Sequence, residues 1–470
     1  MSAPATTEKK YLKWYQKLAY GSGDLASNCS YGLVSSFVLL YLTGTLGLDS
    51  AIIGSLMLAS KVLDGISDVI FGTLIDRTHS KLGKARPWML FGQVGVSLCL
   101  FLLFAIPAGS TTIQYIYFFI VYTALNAVFY TANGIAYSSL VALITKNNNE
   151  RVQLGSFRFM FAVVTNIFMG FAVTGMVEKF GSGAAGWRTT ALIFAIVGLV
   201  VNTISCLAVK ELPEEELSDN TSEAAEEGKA VAKEKKHGFA ETAKILIHNK
   251  YYLMILAIYI VYYIMSNLTT GAGVFCATYY WGDGSLLGQF SMMKMFPVII
   301  ALAIAPVLIK KTGSMQKVNF WGYAISSVLG IPMIYFAMQK NLSMFLLFMF
   351  IKGVFAGTLS GSLNALIAEA SGYTTRTTGV HMDGMMYSCS SLGVKVGGGI
   401  GTAAVGWLLK LGGFVGTATV QSESAIRMIF NLYITFPFVI GIIITVLLAF
   451  LDVKKANKKW DAEHQKEAQA

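Results

Sequence analysis

Asp64 and Asp68 stand four residues apart in Lys61-Val-Leu-Asp64-Gly-Ile-Ser-Asp68, inside an apolar run that begins near Ala51. On a helix that spacing puts both acids on one face. At the centre of a bilayer a carboxylate costs at least about 2.5 kcal/mol, and two on one face repel each other. A chain keeps such a pair where it lines a wet cavity and meets a cation; the plainer reading is one internal salt bridge and a spare acid. Thr131 and Asn133 are polar residues in another apolar run. Asp24 and Arg158 are also set among apolar residues. They form either a structural ion pair or a sugar-type site, because carboxylate and guanidinium accept from and donate to neighbouring hydroxyls. Tyr31 falls two helical turns after Asp24, and Tyr130, Tyr137 and Trp281 are further aromatics that stack on sugar faces or simply fill core. Lys294, Lys352 and Lys395 lie in later apolar runs, where snorkelling to an interface is the plain alternative.

The elements that position these groups follow from composition. The chain has 470 residues, of which 54% are hydrophobic and only 13% charged, and its mean hydropathy is +0.58. That is a membrane balance rather than a soluble one. Forty-six glycines against eight prolines suit close helix contact in lipid. The apolar runs amount to about twelve spans of ~20 residues, enough for a hydrocarbon core of about 30 Å. The expected fold is all-α: twelve transmembrane helices in two six-helix bundles. The expected boundaries are a tail at 1–20, a bundle at 21–209, a charged linker at 210–250, a second bundle at 251–452 and a tail at 453–470. The eleventh span is expected to be broken by its glycines, and the linker to be flexible from about 214 to 236. Lys and Arg cluster in the tails, the linker and alternate loops, so the positive-inside rule predicts a multi-pass protein of the plasma (inner) membrane with both termini cytoplasmic. No cleavable signal peptide is expected from the polar, basic start, and no appended domain after the last span. The net charge of +10 carries no basic stripe interleaved with exposed aromatics, so nucleic acid is not an expected partner. The five cysteines have neither paired nor metal spacing.

Several pieces resemble the glycoside–pentoside–hexuronide:cation symporter family of the major facilitator superfamily, which includes the melibiose permease. They are Gly21-Ser-Gly-Asp24, Asp64-Gly-Ile-Ser-Asp68, the basic loop from Asp76-Arg77 through Lys84-Ala-Arg86-Pro-Trp88, Tyr137-Ser-Ser-Leu140, Asn149-Glu-Arg-Val-Gln-Leu154, Ser156-Phe-Arg158, and Thr378 through Ser388 with Lys395. The likeness covers nearly the whole chain except tails and linker. It implies that Asp64 and Asp68 are cation-site acids, Thr131 a hydroxyl that helps hold the cation, Asp24 and Arg158 the sugar-binding pair, and Lys395 a lysine near the cation site. Departures are Gly134 where the melibiose permease has an aspartate shared by both sites, Ser67 for an amide, Ala136 for a proline, and His381 for an arginine.

The function expected is a cation-coupled glycoside symporter working by alternating access, not an enzyme, with H⁺ or Na⁺ as coupling ion and no cofactor. Cation binding is assigned to Asp64, Asp68, Thr131 and Asn133, with the two acids as metal ligands only under Na⁺ coupling. Loss of the carboxylate at Gly134 favours H⁺. Substrate binding is assigned to Asp24, Arg158, Tyr31, Tyr137, Lys352 and Lys395, in a central cleft. Asp76, Arg77, Lys84 and Arg86 are expected to form a gating charge network. The partners are a sugar, a monovalent cation and the bilayer, with the chain acting as a monomer. The runner-up is a carrier for anionic sugars such as hexuronides, from the cationic excess of Lys294 and Lys352 beside Arg158 and Lys395. A transport-fold sugar sensor and a membrane enzyme on lipid-linked sugars stand further back.

Overall fold

The apolar runs become helices because caps close their ends and lipid or neighbouring helices take their faces. The structure, a computed structural model, describes residues 9–213, 216, 245–378, 383–418 and 420–467. The linker expected to be flexible, Glu216 apart, lies outside the described residues, as does His381. Every described element is helical. Among the described residues eleven helices are long and apolar enough to cross a membrane. A twelfth of 27 residues, Ser50–Asp76, has the length but carries Lys61, Asp64 and Asp68.

The chain divides into two compact units, Met1–Ala230 with Val415–Val420, and Val231–Phe414 with Gln421–Ala470. The first holds α1 (Trp14–Gly21), α2 (Gly23–Leu40), α3 (Ser50–Asp76), α4 (Arg86–Leu103), α5 (Thr111–Thr123), α6 (Thr131–Ile144), α7 (Asn148–Lys179) and α8 (Gly183–Leu207). A π-helical segment, Ala124–Tyr130, joins α5 to α6. The second unit holds α9 (Lys250–Phe275), α10 (Leu286–Thr312), α11 (Met315–Met338), α12 (Leu342–Thr378), α13 (Asp383–Leu411), α14 (Glu423–Phe430), α15 (Phe436–Phe450) and α16 (Val453–Glu467). Side-chain oxygens cap the starts: Asp49 accepts from the amides of Ala51 and Ile52 at α3, and Asn147 from that of Glu150 at α7. Each cap satisfies amides that have no partner inside the helix.

α3 shows how the sequence sorts its faces. Val62, Leu63, Ile66, Val69, Ile70 and Leu74 are exposed and recur at helical spacing, forming a lipid-facing stripe. Asp64 and Asp68 sit off that stripe and are half-buried.

Two expectations change here. Helix begins at Trp14, seven residues before the expected start of the first bundle, so Asp24 lies well inside a continuous span, Trp14–Thr45. The basic stretch tolerates this because Lys17 is buried against Glu150 at 3.0 Å. Over the described part of the eleventh span no break occurs: Asp383–Leu411, α13, is one helix, and its glycines let α9 come close. A Cβ at Gly393, Gly397 or Gly401 would meet Tyr259 Cβ at 2.4 Å, the Ile260 carbonyl oxygen at 2.4 Å or the Ile264 carbonyl oxygen at 2.6 Å. Gly353, Gly357 and Gly361 of α12 do the same against α10, where added carbons would meet Pro297, Ala301 and Leu302. Small residues every fourth position are how helices approach in lipid.

Candidate functional site

Asp24 on α2 meets Arg158 on α7: the Arg158 Nε donates to Asp24 Oδ2 at 2.6 Å, and both side chains are only partly accessible. The guanidinium stands 4.2 Å from the centroid of the Tyr137 ring, on α6. A cation held over an aromatic face is electrostatically favoured, most of all away from water. The Tyr137 hydroxyl donates to the Tyr20 carbonyl at 2.8 Å, and the Tyr20 hydroxyl donates to the Tyr137 carbonyl at 2.6 Å. That reciprocal clasp ties the end of α1 to α6. Tyr137 is 2% exposed, so its ring has no face left for a sugar. In this structure the ring packs against Arg158 and the hydroxyl reaches the Asp24 carboxylate at 3.5 Å. Tyr31 remains half-buried, its ring stacked on Tyr130 with centroids 5.7 Å apart.

Two residues extend this polar strip beyond what the sequence suggested. The Asn28 amide donates to the Asp24 carbonyl at 2.7 Å, and the Asn166 amide donates to the Asn28 side-chain oxygen at 2.9 Å. The signal was present: Asn28 lies one turn after Asp24 and Asn166 two turns after Arg158, on the same faces.

At the second group, Thr131 Oγ1 lies 2.7 Å from Asp64 Oδ1 and 2.9 Å from the Asn126 carbonyl. The π segment before α6 supplies that carbonyl five residues back, which sets the hydroxyl between two acceptors. Lys61 reaches Asp64 Oδ2 at 3.6 Å, one turn earlier on the same helix. Asp68 shares the face and is half-buried. Asn133 has a different place. Two residues from Thr131 it points about 200° away round the helix. It donates to the Met89 carbonyl at 2.8 Å, alongside Asn202 at 2.9 Å, and is 3% exposed. In this structure the Asn133 side chain links α6 to α4 and makes no hydrogen bond to Asp64 or Asp68 of the kind seen here for Thr131. Among the described residues no group of three or more His, Cys, Asp or Glu side chains is placed to hold a metal ion.

The basic loop that carries the expected gating residues is capped by a residue outside its motifs. Glu211 accepts from the amides of Lys84 at 2.7 Å and of Ala85 and Arg86 at 3.0 Å, closing the start of α4. Gly83 has φ +110°, and a Cβ there would sit 2.3 Å from the Glu211 carboxyl carbon, so only glycine fits. Arg86 is buried and donates to the carbonyls of Cys206 and Leu82 at 3.2 and 3.3 Å. Asp76 and Arg77 are exposed, with no side-chain hydrogen bond or ion pair among the described residues. Glu211 escaped notice because it was counted with the linker's other acids.

In the second unit, Lys294 and Lys352 line a cavity of about 190 Å³. Lys395 lies on α13, half-buried.

A wholly helical, multi-pass chain with charged side chains held inside its spans has the build of a membrane transporter. The chain belongs to the MFS/sugar transport protein family, whose family model matches residues 19–455. It is 26% identical over 478 residues to the isoprimeverose transporter of Lactiplantibacillus pentosus, covering 100% of this chain and 96% of that one. It is 24% identical over 449 residues to the putative glycoside/cation symporter YagG of Escherichia coli (strain K12), covering 95% and 93%. The resemblance to the glycoside:cation symporters read from the motifs therefore holds. Among solved structures, a bacterial homologue of the human lysosomal transporter Spinster aligns with a TM-score of 0.68 at 13% identity, covering 95% of this chain and 98% of that one. A D-xylose–proton symporter aligns with a TM-score of 0.62 at 11% identity, covering 94% and 98%. These two establish the fold alone. The chain is a multi-pass membrane protein of the sugar-transporter class and not an enzyme.

Proposed function

We propose that this protein is a proton-coupled glycoside symporter in which Asp64 carries the proton and the Asp24–Arg158 pair holds the sugar. The relatives named isoprimeverose transporter and putative glycoside/cation symporter support the substrate class and the coupling to a cation. The choice of the proton rests on one observation. The Thr131 hydroxyl has a single hydrogen and two acceptors within 2.9 Å, Asp64 Oδ1 and the Asn126 carbonyl. With that hydrogen on the carbonyl, the 2.7 Å contact to Asp64 calls for a hydrogen on the carboxyl group. Protonation of Asp64 satisfies both contacts at once; an ionised Asp64 and the carbonyl compete for one hydrogen. Lys61 at 3.6 Å compensates the ionised acid between turnovers.

At the sugar pair the carboxylate accepts from sugar hydroxyls. The guanidinium, which spends one of its five donors on Asp24, presents others to sugar oxygens. The Tyr137 ring and the Asn28–Asn166 link hold the pair in place, and Tyr31 offers a ring to a sugar face. Coupling follows if the empty and doubly loaded forms isomerise more readily than the singly loaded ones. On this reading both termini and the linker lie in the cytoplasm.

The experiment is uptake of a labelled glycoside into membrane vesicles under an imposed pH gradient or an imposed Na⁺ gradient, each alone. The pH gradient should drive accumulation and the Na⁺ gradient should not. Asp64→Asn should abolish accumulation and leave glycoside binding measurable. Accumulation driven by Na⁺ alone, or undiminished in Asp64→Asn, refutes the assignment.

A further inference from the structure

Two cations of the second unit play no part in the symport reading. Lys294 on α10 and Lys352 on α12 line one cavity of about 190 Å³, together with residues of α9, α11 and α15. Every lining residue belongs to the second unit, so the cavity is complete within it. The two lysines stand at one level of adjacent helices. A Cβ on Gly353, next to Lys352, would lie 2.9 Å from Pro297 Cβ and 3.5 Å from the carbonyl oxygen of Met293, which precedes Lys294. The Lys294 ammonium donates to the hydroxyls of Thr270 at 3.1 Å and Thr269 at 3.4 Å. Those hydroxyls give their own hydrogens to main-chain carbonyls, so they act purely as acceptors, and one ammonium hydrogen remains for another group. Lys352 has no hydrogen-bonding or ionic partner among the described residues, and no Asp or Glu lines the cavity. Hydroxyl donors line it too. Tyr323 and Ser326 lie three residues apart on α11, are 2% and 3% exposed, and donate to no group among the described residues.

Two ammonium groups in one such cavity lose hydration and repel each other, and no carboxylate in the lining offsets either. A buried hydroxyl that donates to nothing carries a cost of its own. One anion between these groups answers all of it: repulsion between the lysines becomes attraction of both to the ion, and the spare hydrogens gain an acceptor. The walls decide which anion. Met293, Met349, Phe345 and Phe438 make much of the lining apolar. A doubly charged or strongly hydrated ion would lose more on entering than these donors return, whereas a singly charged, weakly hydrated one loses least. No Arg lines the cavity, so the planar fork that suits phosphate and carboxylate is absent. A water takes about 30 Å³ of liquid, so there is room for a small ion and a few waters.

The geometry points to a chloride site: Lys294, Lys352, Tyr323 and Ser326 hold one small monovalent inorganic anion inside the second unit. The ion accepts from the remaining Lys294 hydrogen, from the Lys352 ammonium and from the two hydroxyls of α11. It thereby ties α10, α11 and α12 together around a neutralised charge, and it stabilises the folded unit as any ligand of the native state does. The site does not depend on what the protein carries or on its coupling ion.

The test uses the purified full chain in detergent, exchanged into sodium gluconate, with the sodium concentration and ionic strength held constant while chloride replaces gluconate. Radioactive chloride in equilibrium dialysis should bind saturably, and Tm should rise over the same concentration range. Bromide and nitrate should displace the label; sulfate and phosphate should not. Lys352→Gln and Lys294→Gln should each weaken chloride binding about tenfold or more, the loss of one charge-assisted hydrogen bond, and Lys352→Arg should keep it within about threefold. Ser326→Ala, a smaller change, should weaken it measurably; if a Gln variant fails to fold, this variant and the displacement series still decide. Absence of saturable chloride binding in the parent overturns the site. A Tm rise that sulfate matches at equal ionic strength overturns it as well, since screening alone would explain it. Chloride bound with parental affinity in the Gln and Ala variants would place the ion elsewhere and refute the assignment. None of these measurements uses a glycoside, so failure here leaves the symport reading standing.

Discussion

Glu211→Gln isolates the contribution of a single oxygen. One carboxylate oxygen accepts from Ala85 and Arg86, and the other accepts from Lys84 at 2.7 Å. In the glutamine the first oxygen keeps its two bonds, and an NH₂ replaces the second, turning a donor toward the Lys84 amide. One hydrogen bond is lost, about 1 kcal/mol. Removal of the negative charge from the start of α4 loses up to about 1 kcal/mol more at a half-exposed position. The sum, about 2 kcal/mol, corresponds to roughly a thirtyfold rise in the population of a locally opened α4 start. Cys206 reports on that opening. It is buried, and its thiol lies 3.6 Å from the Arg86 carbonyl. Maleimide labelling followed by mass spectrometry should show Cys206 reacting about thirty times faster in the variant. The buried Cys276 and Cys389 of the other unit should react at the parent rate. A Cys206 rate within threefold of the parent would refute the idea that Glu211 holds this loop. Labelling that rises equally at all three would mean general unfolding instead.

Three further outcomes follow. Arg158→Lys keeps the charge but not the planar fork, so glycoside affinity should fall by about 10- to 100-fold, the loss of one or two charge-assisted hydrogen bonds; isothermal titration reads it, and an unchanged affinity removes the pair from the sugar site. Asn133→Leu leaves the Met89 carbonyl with the Asn202 side chain as donor and should lower stability by about 1–3 kcal/mol in denaturant titration while leaving the driving ion unchanged. A switch of coupling ion in that variant would return Asn133 to the cation site. Gly357→Val forces a branched side chain where a Cβ already meets Ala301 Cβ at 2.7 Å, so the folded yield should drop sharply, whereas Gly372→Ala, which meets nothing within 4 Å, should be silent.

The fold was legible because hydropathy in lipid is a coarse and repeated signal, and the motifs named the family. The Asp24–Arg158 pair and the Asp64–Thr131 contact were legible for a related reason: charged and hydroxyl groups at bilayer depth stand out against Leu, Ile and Val. Directions were harder to read. Asn133 sits two residues from Thr131 and so faces another helix, which type alone does not reveal without a helical phase. Tyr137 was visible as an aromatic, but its burial depends on the clasp with Tyr20, a contact 117 residues apart in the chain. Glu211 was hidden by its neighbours, since a run of acids gives no sign of which one turns back to cap a helix. The glycines of α13 suggested a break by propensity; close contact with α9 outweighed it.

The two glycine stripes have a consequence for how such a protein acquires new substrates. Where glycines of α12 meet α10 and glycines of α13 meet α9, the helices leave no slack to take up by shifting. The scaffold of the second unit is therefore inherited whole, and its cavity wall is set by the side chains mounted on it. Exchanging a side chain at the lining reshapes the cavity without moving a helix. Selection for a new ligand then acts on single positions at the cavity surface, while the stripes beneath it stay under a separate and stricter steric constraint.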